Sequence, residues 1–155
     1  AMSRSEMRSA ARLAAVQALY EMDIAGTGVM EAVAEFENHW IGREIEGVTF
    51  RAPDVDLFRD IIAGVVREQK LVDRRLDEAL AKGWPLKRVE VVLRAVLRAG
   101  AYELFFRKDI PVRVTISEYV DVARAFYDED EPGLVNAVLD ALARSVRAAE
   151  LAARP

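Results

Sequence analysis

The stretch VEVVLRAVLRAGAYELFFR, residues 89–107, decides the fold class. Val89, Val92, Val96 and Gly100 recur at steps of three and four, and Leu93, Leu97 and Leu104 widen the same stripe. Such spacing returns side chains to one side of a helix on every turn. An apolar face this wide implies burial on several sides. The pattern predicts a helix over 86–107, with a break near residues 92–94.

The same period extends in both directions. Asp109-Ile110-Pro111 ends the run, and Thr115-Ile116-Ser117-Glu118 matches a capping box, in which hydroxyl and carboxylate would each satisfy a backbone N–H at a helix start. Ala123 and Phe126 continue that helix, residues 128–131 form a polar turn before Pro132, and Leu134 to Val146 mark a last helix whose tail frays. Upstream, Gly83-Trp84-Pro85 stops a long seam running from Val55 to Ala79, interrupted by polar Gln69 and capped by Asp54. Residues 41–53 read as a connection, with Thr49-Phe50 briefly extended. Val29, Val33, Phe36 and Trp40 mark a second helix, and Leu13, Val16 and Tyr20 a first over 5–24, broken by Gly26-Thr27-Gly28. The reading is all-α: about six or seven helices in two packed bundles, an N-terminal subdomain 2–83 and a C-terminal subdomain 84–155 of one compact domain.

Composition narrows the function. Of 155 residues, 52% are hydrophobic and 31% charged, which excludes intrinsic disorder. There is no Cys, hence no disulfide, thiolate metal site or Cys nucleophile, and a reducing cytoplasm fits. A lone His39 cannot build a His-rich metal site or support a Ser–His–acid triad. No phosphate-cradling glycine loop is present, and acidic pairs such as Asp54 with Asp56 sit at helix starts, where they complement the dipole. No apolar run reaches a membrane-spanning length, and residues 1–20 lack the core of a secretory signal. An enzyme, a cofactor and a metal are therefore not expected.

The formal net charge of −4 excludes a broadly cationic nucleic-acid binder, so any such binding needs a local patch. Arg4, Arg8 and Arg12 offer one: repeated every four residues, they place three guanidinium groups along one helix face, about 6 Å apart in rise. Ser5 and Ser9 lie beside them, and hydroxyls with guanidinium groups suit phosphate. A merely solvated face is the alternative. Tyr20 in the same helix and Phe126 at the end of another could stack bases if exposed.

These residues bring in a resemblance. Ala14-Ala15-Val16-Gln17-Ala18-Leu19-Tyr20, Phe58-Arg59-Asp60 with Ile61-Ile62-Ala63-Gly64-Val65, Leu97-Arg98 through Tyr102-Glu103-Leu104, Ile110-Pro111-Val112 with Ile116-Ser117-Glu118, and Leu134-Val135-Asn136-Ala137-Val138-Leu139-Asp140 occur in the order found in the NusB family. The blocks span residues 8–142, and the chain resembles that family throughout. The resemblance implies a two-bundle α-helical fold and a non-catalytic, RNA-binding transcription antitermination factor. It would bind boxA RNA with NusE, a small-subunit ribosomal protein, and join NusA, NusG and RNA polymerase in ribosomal RNA transcription. Arg8 and Arg12 match arginine positions of the family's RNA segment, while Ser9 and Ala10 stand where arginine is common, so the patch is thinner here. Asp130 and Leu134 match positions near RNA, with Leu134 where Phe is common; Tyr20 and Glu103 match the RNA and NusE surface. Asn136 is either an RNA or partner contact or a buried polar group holding the start of the last helix. The family includes monomers and homodimers. The competing functions are a detached NusB-like RNA-binding module of a ribosomal RNA methyltransferase and a self-associating helical scaffold.

Overall fold

The structure, a computed structural model, describes residues 3–39, 44–45, 48–49, 52–80 and 85–148. Helix α1 (Arg4–Ala25) begins with the capping box that the sequence placed elsewhere: the Ser3 hydroxyl accepts the Glu6 N–H at 3.1 Å, and the Glu6 carboxylate accepts the Ser3 N–H at 3.4 Å. It ends at Gly26, whose φ of +71° lies in the left-handed region that glycine enters without steric cost. Helix α2 (Val29–His39) follows, then a two-residue antiparallel ladder of β1 (Glu44–Ile45) and β2 (Val48–Thr49), which places Glu44 opposite Thr49. Trp40 and Phe50 lie outside the described residues, as does the side chain of His39.

Four further expectations meet corrections. The long third seam is two helices, α3 (Ala52–Arg67) and α4 (Gln69–Ala79), parted at Glu68 with φ −103° and ψ 14°. Phe58, Ile61, Val65, Val72 and Leu76 are all buried; α3 packs on α1, α2 and α5, and α4 on α5 and α7. Because α3 opens at Ala52, Asp54 sits within its first turn rather than before it. The apolar run does not begin as one helix at 86: a 3-10 turn, Leu86–Arg88, precedes α5 (Val91–Phe106), and the break falls at Val89-Glu90. Glu90 fixes it, its carboxylate accepting the N–H groups of Val92 and Leu93 at 3.0 and 3.2 Å. Finally, α6 (Val112–Phe126) starts three residues before Thr115, because Pro111 at φ −59° presets the helix entry. Thr115 is buried inside the helix, so no capping box forms there and Glu118 is released for another partner. Helix α7 (Glu131–Val146) carries Pro132 in its first turn, where the missing N–H costs nothing.

Helix α1 packs on α2 and α3, while α5, α6 and α7 pack on one another; α5 also meets α1, α3 and α4. The two bundles share one core: Val16, Phe58, Ile62, Leu97, Leu104, Tyr119 and Leu139 belong to a single buried cluster. Of the sequence boundary Gly83-Trp84-Pro85, only Pro85 falls among the described residues. Among those residues no helix is long and apolar enough to cross a membrane. Two glycines allow the close approach of helices: a Cβ on Gly64 would lie 2.1 Å from the Tyr102 ring, and one on Gly100 would lie 2.7 Å from Leu139.

Leu97 is fully buried in α5. Leu97→Ala is expected to lower the unfolding free energy by about 2–5 kcal/mol, the transfer loss plus the residual cavity, measured by urea denaturation. Gly64→Ala tests the opposite error. The added methyl would push Tyr102 off its 2.7 Å hydrogen bond to Asp60, and the cost should be at least the 1–3 kcal/mol or so of an overpacked core. Stability equal to the parent in either variant would mean that the packing around α5 is wrongly assigned.

Candidate nucleic-acid interface

The arginine row of α1 does not stay on one exposed face. Arg4 is exposed, Arg8 half-buried and Arg12 only 2% exposed. Arg12 carries Ala11, Ala14, Ala15 and Val16 beside it, all buried, so the face that holds it is the core face. Its Nε and Nη2 donate to the Glu103 carboxylate at 2.9 and 3.0 Å, a bidentate fork, and its Nη1 donates to Glu118 at 2.6 Å. Glu103 is fully buried. The Tyr119 hydroxyl donates to it as well, and the Ser9 hydroxyl donates to Glu118 at 2.6 Å. Burial alone would lower the pKa of Arg12, but the hydrogen bonds and charge of Glu103 outweigh it and hold the pKa above its ordinary value. Burial, then the charge of Glu103, raises the Tyr119 phenol well above its usual range.

Two placements are thereby corrected. Arg12 is a buried ion-pair partner and presents no guanidinium to a phosphate, and Glu103 is enclosed rather than displayed to a protein partner. The physical reason is the same for both: each sits in an apolar run and can remain charged there only against an opposite charge. Glu118 and Tyr119 were missed as members of this network. A signal existed in the sequence, since a lone Arg and a lone Glu on apolar helix faces imply that they pair.

The ion pairs also fix how the helices run. Arg12 pairs with Glu103, while Asp23 takes Arg94 at 2.7 Å and Arg98 at 3.5 Å, so α1 and α5 are antiparallel. Arg98 also spans to Asp73 of α4 at 2.8 Å. Glu103 with Tyr119, and Glu90 with Tyr127, make α5 and α6 antiparallel in turn, so α1 and α6 run parallel. Tyr20 lies eight residues beyond Arg12, and Phe126 eight beyond Glu118; the two aromatics therefore stand at matching levels along α1 and α6. Both are half-buried against the core.

The remaining predicted residues gather at the start of α7. Asp130 is exposed and makes no side-chain cap, Leu134 is 36% exposed, and Asn136 is exposed rather than a buried support for the helix start. Helix α7 packs on α4, α5 and α6, and α6 touches both α7 and α1. The structure thus unites Ser9, Arg12 and Glu103 in one buried network, leaves Arg4 and Arg8 at the open end of α1, and sets Asp130, Leu134 and Asn136 apart at the α6–α7 corner. Among the described residues no group of His, Cys, Asp and Glu could hold a metal ion. A cavity of about 310 Å³ between α1, α2 and α3 is lined by Gln17, Glu21, Met22, Glu35, Phe36 and Phe58.

Fold and site define an all-helical, two-bundle protein with a cationic helix end held in place by a buried ion-pair network. The NusB family model matches residues 9–144, and the chain belongs to the NusB family. It is 61% identical over 147 residues to the transcription antitermination protein NusB of Bradyrhizobium diazoefficiens, covering 95% of this chain and 89% of that one. The corresponding protein of Nitrobacter hamburgensis is 57% identical over 149 residues, covering 96% and 93%. Among solved structures, the chain is similar to T. maritima NusB, with a TM-score of 0.78, 28% identity and coverage of 94% and 96%. It is likewise similar to a chain in a crystal structure of antitermination factors NusB and NusE in complex with double-stranded RNA, with a TM-score of 0.75, 25% identity and coverage of 90% and 98%.

The buried pair yields a test by double-mutant cycle. Arg12→Met alone leaves the Glu103 carboxylate buried without its countercharge, and Glu103→Leu alone leaves the buried Arg12 with only Glu118; each should cost about 3–5 kcal/mol. The double variant should recover most of that loss, because well-packed apolar groups replace a buried pair at little net cost. Chemical denaturation of the four proteins measures it; additive single losses would show that the two charges do not depend on each other.

Proposed function

We propose that this chain is a non-catalytic, RNA-binding transcription antitermination factor that acts as a heterodimer with NusE on boxA RNA, joins NusA and NusG at RNA polymerase, and supports ribosomal RNA transcription. The observation that carries the reading is the likeness, over 90% of this chain, to a chain of the NusB–NusE complex with RNA. Local chemistry agrees with it. Arg4 and Arg8 form a cationic end in a protein of net charge −4, and Ser5 lies exposed between them. Asp130, Leu134 and Asn136 supply exposed polar and apolar groups at a second corner, and Tyr20 and Phe126 keep part of each ring accessible. Arg12, Ser9 and Glu103 serve the interface indirectly, by fixing the orientation of α1 against α5 and α6.

One exposed and one half-buried guanidinium group allow few phosphate contacts, so the chain alone should bind RNA modestly. A second protein lying along the same RNA joins two weak surfaces into one site and raises their effective concentration. NusE is therefore expected to raise boxA affinity by more than about tenfold, or about 1.4 kcal/mol. The gain should disappear with a scrambled RNA. Titration of fluorescent RNA at fixed salt, with and without NusE, measures it; equal affinities would discard the composite site.

A further inference from the structure

Residues 13–42 carry the acidic side chains Glu21, Asp23, Glu31, Glu35 and Glu37 and no Lys or Arg. The fold neutralises only part of that charge. Asp23 is taken by Arg94 and Arg98, and Glu37 pairs with Arg59. Among the described residues no hydrogen bond or ion pair engages Glu21 or Glu35, and both are exposed. Both line the cavity of about 310 Å³ between α1, α2 and α3. Its walls are small side chains, Ala14, Ala18 and Ala25 from α1 and Ala32 from α2. Phe36 and Phe58, stacked with ring centroids 3.7 Å apart, close its buried side. Ala25 and Thr27 are exposed along with the two carboxylates, so the cavity opens to solvent on that edge. From Ala14 to Ala25 it follows α1 for about 16 Å, the length of a groove rather than of a closed hole.

An apolar trough edged by two carboxylates without a countercharge selects its occupant by charge. A phosphate or an acidic segment would meet like charge there. A metal ion would lack ligands, since among the described residues no group of His, Cys, Asp and Glu could hold one. A Lys or Arg side chain satisfies both features, because its methylene stem covers apolar surface while its charged head stays at the wet edge. We infer that this groove docks a basic segment of another protein, with the stem of a Lys or Arg along Ala18, Met22 and Ala32 and the head at Glu21 and Glu35. Met22 is unbranched and adapts to the stem, and half-buried Gln17 supplies a donor and an acceptor for the backbone of the segment. The inference does not rest on the RNA-binding reading. Ala18 and Tyr20 stand about 160° apart around α1, so the groove and the Tyr20 face point to different sides and both can be filled at once.

Fluorescence anisotropy at physiological ionic strength tests it with labelled peptides of equal length, one alternating Arg with Leu, one Arg with Ser and one Glu with Leu. The Arg–Leu peptide should bind and the Glu–Leu peptide should not. The Arg–Ser peptide should bind several-fold more weakly, because it brings no apolar surface to the alanine walls. Glu21→Gln and Glu35→Gln should each weaken the Arg–Leu peptide about two- to fivefold, the range of exposed ion pairs. Asp121→Asn removes the same charge from α6, which contributes nothing to the groove, and should leave the affinity unchanged. Ala18→Trp fills the groove and should abolish binding while leaving RNA affinity as in the parent. Circular dichroism checks that α1 persists in each variant, and where Ala18→Trp loses helix the two Gln variants decide. Equal losses in Asp121→Asn and the Gln variants, or equal affinity for the Arg–Leu and Arg–Ser peptides, would reduce the effect to net charge and overturn the groove. Saturation by spermidine that depends on Glu21 and Glu35, with no peptide binding, would overturn it too, leaving a site for small cations in place of a protein dock.

Discussion

Arg12 and Glu103 are opposite charges enclosed where water does not reach, and each remains charged because the other is there. Either charge alone would cost several kcal/mol to bury. The bidentate fork therefore sets a distance and an angle between α1 and α5 that apolar packing alone would leave free to slide. Glu118 and Tyr119 extend the same constraint to α6, so three helices from both bundles meet at one polar point within an otherwise apolar core. Such a network selects one arrangement among the many that an apolar core could adopt. It need not add net stability to do so.

Given that anchor, the peripheral pairs follow as consequences of register. Asp23 reaches Arg94 and Arg98 because α1 and α5 run antiparallel from the Arg12 fork, and Arg98 then reaches Asp73 on α4. On the other side Asp60 accepts from both Tyr102 and Arg107 and ties α3 to α5. Burial, then the hydrogen bond to Asp60, pushes the Tyr102 phenol up to about 12, so it stays a neutral donor across the physiological range. The exposed pairs contribute little each. Their regular placement records the helix geometry more than it creates it.

The fold class could be read from residues 89–107 and from the repetition of their period, because helix periodicity is a local property and needs no knowledge of neighbours. The helix ends were less accessible, for a physical reason visible at two places. Thr115 and Glu118 carry the chemistry of a capping box, but Pro111 starts the helix earlier and Arg12, more than a hundred residues away, claims Glu118. Ser3 and Glu6 carry the same chemistry with no such competitor, and there the box forms. The break at Glu68 is of the same kind: the apolar seam is nearly continuous in sequence, but both halves meet α5 while only the first also packs on α1 and only the second on α7. Of the candidate site, the cationic end of α1 and the exposed start of α7 were accessible to sequence reading, while the network behind them required three dimensions.

The arginines show why charge arithmetic stops short of a binding surface. Arg8 and Arg12 are the same residue type, one turn apart on one helix, and composition treats them alike. Burial makes Arg12 a structural strut, whereas among the described residues no hydrogen bond or ion pair engages Arg8. Arg94, Arg98 and Arg107 are likewise held by carboxylates, and such pairs cancel within the net charge of −4 without showing which charges stay unmatched. What a phosphate meets is the remainder: the few cations that the fold leaves unmatched, and the direction in which the helix register points them. A protein with an acidic total can therefore present a cationic helix end without contradiction.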